Sequence, residues 1–107
     1  MGKEKYAALK AMLEESGIPF RYREWKKQPE SFPFGAYLFV NRANLISDGK
    51  VYFSVDLFQV EIYSEEKDIN AEQSIEDVFD KHDIVYNKYE SYIDSEKLYE
   101  VMYEIQI

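Results

Sequence analysis

The sequence predicts an α+β fold: an antiparallel sheet with two helices packed on one face, in the order helix, strand, hairpin, helix, hairpin. Two observations lead there. Apolar residues recur at helical spacing in two separate segments, and the stretches between and after them alternate with period two around clear turn sequences.

The first predicted helix covers residues 3–16, where Tyr6, Leu9, Met12 and Leu13 form a stripe and Lys5, Lys10, Glu14 and Glu15 lie outside it; Gly17 stops it. Residues 18–25 then alternate, apolar at Ile18, Phe20 and Tyr22 and charged at Arg21 and Arg23, as in a strand with one wet face. Pro19 suits an edge or the first position of a strand. Lys26 to Pro33 is polar and carries Pro29 and Pro33, so a loop is expected. A long hairpin follows, Phe34 to Ile46 and Val51 to Tyr63, closed by Ser47-Asp48-Gly49-Lys50, where Asp-Gly is a strong turn signal. In its second strand the apolar parity changes, from Val51, Phe53, Val55 and Leu57 to Phe58, Val60 and Ile62. Either a bulge lies near Leu57-Phe58, or the outer half of the hairpin leaves its own domain and buries the opposite face against a partner. After the acidic break Ser64 to Asp68, the residues Ala71, Ile75, Val78, Phe79 and His82 define a second helix. The C-terminal hairpin turns at Asp94-Ser95-Glu96 and holds five of the ten tyrosines, Tyr86, Tyr89, Tyr92, Tyr99 and Tyr103. Its last strand places Tyr99, Val101, Tyr103, Ile105 and Ile107 on one face. A tyrosine-rich strand serves packing or contact, because the ring packs while the hydroxyl stays wet.

At 107 residues and 46% hydrophobic, the chain suits a single domain, 1–107, with a protruding hairpin at about 34–63. It has no cysteine, which excludes disulfides, cysteine zinc sites and thiol catalysis. Met1 to Lys5 lead into a polar-apolar mix, so neither a secretory signal nor a membrane-spanning helix is expected. The net charge of −8 repels phosphate backbones, which argues against tight nucleic-acid binding.

The inventory for chemistry is thin, and no catalytic residue, metal ligand or cofactor is assigned. His82, the one histidine, fits the inner stripe and last turn of the second helix, where it favours the dipole. The run Glu65, Glu66, Asp68, Glu72, Glu76, Asp77, Asp80, Asp83 lacks the calcium-loop pattern and distributes its carboxylates around a helix, as a solvated acidic face. The four glycines stand singly, so phosphate cradles and nucleophile elbows lack their signatures. Arg21, Arg23, Lys26 and Lys27 flank Tyr22 and Trp25, a mixture found in single-strand binders. In so acidic a chain it is better read as a wet strand face or a contact for an acidic protein surface.

Four segments together resemble a known family. They are the helix end Ser16-Gly17-Ile18-Pro19-Phe20-Arg21-Tyr22, the hairpin tip Ser47-Asp48-Gly49-Lys50-Val51-Tyr52, the strand Val60 to Asp68, and the tail Tyr92 to Glu104. Their layout is similar to the tail terminator, or tail-to-head joining, proteins of long-tailed phages and prophages of Gram-positive bacteria. The resemblance implies a structural virion protein, not an enzyme. It would be assembled in the host bacterial cytoplasm and would cap the tail tube as a hexameric ring at the tail-head junction. Its partners would be further copies of itself, the tail tube protein and the head connector protein, with DNA passing through the channel and no membrane involved. On this view the parity change near Leu57-Phe58 marks where the hairpin reaches a neighbouring subunit, Arg42, Asn44 and Leu45 near the hairpin tip contact tube or connector, and Tyr52, Phe53 and Phe58 are interface residues. Tyr99 and Tyr103 are further contact candidates. The alternative is a small acidic cytoplasmic adaptor or inhibitor that binds a basic protein partner.

Overall fold

The computed structural model describes residues 3–27, 29 and 31–107, and the backbone alone at Tyr52. The order is α1 (Lys3–Glu14), β1 (Phe20–Tyr22), β2 (Phe34–Ser47), β3 (Lys50–Ser64), α2 (Ile69–Lys81), β4 (Tyr86–Ile93) and β5 (Leu98–Gln106). The five strands form one sheet in the order β1-β2-β3-β5-β4. The α+β class and the element order are those the sequence predicts. The strand pairs are antiparallel except β1, which is three residues long and pairs parallel to β2, with Phe20 opposite Gly35. The predicted strand over 18–25 is cut short because Arg23 turns into the left-handed region (φ 66°).

Sheet register explains the core. Tyr37, Phe39, Phe58, Val60 and Ile62 share a face with Val101, Tyr103 and Ile105. Both helices cover that face, α1 through Leu9 and Leu13 and α2 through Ala71, Ile75, Val78 and Phe79. Phe79, Tyr86 and Tyr103 meet at centroid distances of 5.3–5.4 Å, and Phe58 is met edge-on by Tyr6 and by Phe39. Phe20 lies across Gly35 so closely that a Cβ there would stand 2.3 Å from its ring. That approach, not backbone freedom, is why position 35 has no side chain.

Gly17 ends α1 with φ 84°, and the Asp68 carboxylate accepts the Ala71 amide at 3.0 Å to cap α2. Two expectations for the helices are corrected. His82 does not complete the inner stripe; it is exposed at the end of α2, its Nε2 3.1 Å from the Glu15 carboxylate. Nor is the acidic helix uniformly solvated, since Glu72 is buried between Lys67 (2.5 Å) and Lys88 (2.8 Å), and Lys88 also reaches Glu76 at 2.7 Å. Burial alone would raise the Glu72 pKa, but the bonds from Lys67 and Lys88 outweigh it and hold the group below its usual range. Among the described residues, no helix is long and apolar enough to cross a membrane.

Candidate interaction surface

The outer half of the long hairpin lies beyond the core that its inner half helps to build. β5 pairs with β3 only from Leu57 to Ser64, so the outer residues of β2 and β3 have only each other as sheet partners. The molecule measures 50 × 28 × 24 Å. This outer arm closes on Asp48 (φ 53°) and Gly49 (φ 75°), a two-residue loop with both residues left-handed, as the Asp-Gly dipeptide requires.

Both readings of the parity change have a counterpart here. The ladder slips between Phe39 and Asn41, so the extra residue is Val40 in β2, across from Leu57-Phe58 and not within β3. β3 has no extra residue at this point, and its apolar residues change face; a second slip, between Leu45 and Ile46, leaves the extra residue in β3 at position 52. Inward of the slip they face the helices; outward, Ala43, Leu45, Phe53, Val55 and Leu57 lie on the helix-free side while Arg42, Asn44, Ser54 and Asp56 take the other. Leu45 (50% accessible), Phe53 (51%), Ile46 (63%) and Val51 (59%) are open to solvent on the arm. Runs of exposed apolar side chains of this size mark surfaces made for contact.

The root of the arm is clamped. Asp56, 1% accessible, accepts from Arg42 Nε at 2.7 Å and Nη2 at 3.2 Å and from Lys5 Nζ at 2.7 Å. Lys5 also donates to the Ile107 carbonyl, and Asp56 and Ile107 exchange both backbone bonds. One carboxylate thus joins α1, both arm strands and the C-terminus. The Arg42 hydrogen bond, aided by Lys5 and opposed by burial, holds the Asp56 pKa down at about 2. Sequence reasoning missed Asp56; the signal was a lone carboxylate between Val55 and Leu57 in an apolar alternation.

The expected contact residues therefore separate. Leu45 and Phe53 are on the exposed stripe, and Asn44 is exposed on the opposite side, its Oδ1 accepting from Ser54 Oγ at 2.6 Å. Arg42 is not near the tip but at the root, held by Asp56. Phe58 and Tyr103 are corrected to core residues: each has no accessible surface, and Tyr103 donates to Glu76 at 2.7 Å beneath α2. Tyr99 is half-buried against Tyr92, centroids 4.9 Å apart. The Tyr52 side chain lies outside the described residues.

The helix-free face has a second feature at the far end from the tip. Trp25 folds back onto β2, its indole N–H donating to the Gly35 carbonyl at 2.8 Å, and Arg21 stacks over its ring at 5.1 Å. Trp25 meets Phe34 edge-on, and Phe34 stacks on Tyr63. With Ala36, Ile93 and Leu98 these rings line a cavity of about 220 Å³ rimmed by Arg23, Glu24 and Glu96. Beside it the Tyr63 hydroxyl lies 3.1 Å from Glu61 and 2.9 Å from Glu100. It has one proton for two carboxylates. Burial, and then the Glu100 charge, push the Glu61 pKa up. Residues 25, 34, 63 and 98 share no sequence spacing, so this pocket was illegible before the fold.

No protein-family model matches this chain, and no curated protein matches it.

Proposed function

We propose that the chain is a structural subunit of a long-tailed phage, forming a ring that closes the finished tail tube and gives the head connector its docking surface. The observation that carries this reading is the arm: a hairpin braced at its root, standing beyond the sheet, with its apolar stripe uncovered. A surface of this kind is suited to a second copy that lays another part of itself against it. Contacts between unlike surfaces of identical chains close into rings when the rotation permits. The likeness of the chain's layout to tail terminator proteins selects this assembly among those an arm could serve. A ring whose bore carried some of the surplus carboxylates would let DNA pass without adhering.

The test is the mass of the purified protein by light scattering over a concentration series, alone and with isolated tail tubes. A species near six chains is expected. Phe53→Asp, on the half-exposed stripe, should fold normally and fail to assemble or complete tails. Normal assembly and tail completion by that variant would overturn the arm contact.

A further inference from the structure

We propose that the Trp25 pocket is the seat for the arm tip of a second copy, an assignment that rests on the self-assembly reading above. The cavity of about 220 Å³ is smaller than the roughly 300–1,000 Å³ of a small-molecule site and suits one or two side chains. Its floor is aromatic and aliphatic (Phe34, Ala36, Tyr63, Leu98), and its rim carries Arg23 beside Glu24 and Glu96, neither carboxylate having an ion-pair partner among the described residues.

The tip offers the complement. Ile46 pairs with Val51 beside the turn, and among the described residues these are the two most exposed apolar side chains of the arm. Lys50, between them and the turn, forms no ion pair among the described residues. The tip itself, residues 46–51, holds one Asp and one Lys and is neutral, in a chain of net −8. The acidic body of another copy therefore does not repel the tip, and the fit is local: Ile46 and Val51 fill the floor, and Lys50 meets Glu24 and Glu96. It cannot fold back onto its own pocket, which lies at the other end of a molecule 50 Å long.

The absence of native cysteine makes the test direct. A Lys50→Cys, Glu96→Cys double variant is mildly oxidised across a concentration series, beside a Lys50→Cys, Lys10→Cys control whose second thiol is on α1. A ladder of linked chains from the first variant, absent in the control and removed by adding Ile46→Asp at the exposed tip, is the expected result. Links that stop at dimers keep the pocket as the seat but overturn the ring. No links in a protein that light scattering shows to be oligomeric overturns the pocket and leaves self-assembly standing. A monomer at every concentration, without links, overturns both.

Discussion

Replacing Asp56 by asparagine keeps the shape at the root of the arm and removes its charge. The Asp56 pKa falls from 3.8 to about 2, which at 1.36 kcal/mol per unit amounts to about 2 kcal/mol of stability at neutral pH. Asp56 is buried, but Lys5 and Arg42 are 34% and 38% accessible, and water screens them. The expected loss is therefore about 1–2 kcal/mol. At ~2.1 cal/mol/K per residue, a chain of 107 residues should lose roughly 4–9 °C in Tm. The native pKa is depressed, so the stabilisation is complete above the unfolded value of 3.8 and is lost as pH falls toward about 2. Urea unfolding of both proteins at pH 6 and pH 3 isolates this group, since every other carboxylate is shared. The difference should fall to about half between the two. A difference below about 0.5 kcal/mol at pH 6, or one that does not change with pH, would refute the clamp.

The remaining expectations concern the core and the helix-free face. Phe58→Ala removes a side chain with no accessible surface between Tyr6 and Phe39, and should cost about 3–5 kcal/mol by urea denaturation. Gly35→Ala drives a Cβ to 2.3 Å from the Phe20 ring and should cost about 1–3 kcal/mol, with near-UV dichroism reporting displaced aromatics. Glu61→Gln removes a carboxylate with a raised pKa, one that weakens the fold as pH rises through 4.5 and beyond. The variant should gain about 0.5 kcal/mol over the wild type at pH 8 and nothing at pH 4. A gain that persists at pH 4 would show the charge is not its cause.

Periodicity made the helices, the two hairpins and the Asp-Gly turn legible, because each rests on neighbours in sequence. What it could not show depends on distant partners. β1 is short and parallel because Phe20 lies on Gly35 and Arg23 then turns away, neither of which alternation encodes. Glu72 looks like any helix carboxylate until Lys67 and Lys88 converge on it from outside the helix. The arm was half legible. The parity change marked it, yet Phe58 stands at the swap and went to the core, while Leu45 and Phe53 stayed outside.

The position of the clamp says what kind of arm this is. An isolated two-stranded hairpin is marginal in water, and the outer strands of β2 and β3 have no further strand to support them. Asp56 sits where that support ends, and its partners come from α1, β2 and the C-terminus, so the arm leaves the body in a set direction although its length is unsupported. A partner that receives the tip then orders less than it would with a free loop, and more of the apolar contact appears as binding. The bulge at Val40 performs the complementary task. It lets β2 keep its bonds to β3 while the buried face gives way to the exposed one, so a nearly continuous ladder serves the core at one end and presents an open apolar face at the other.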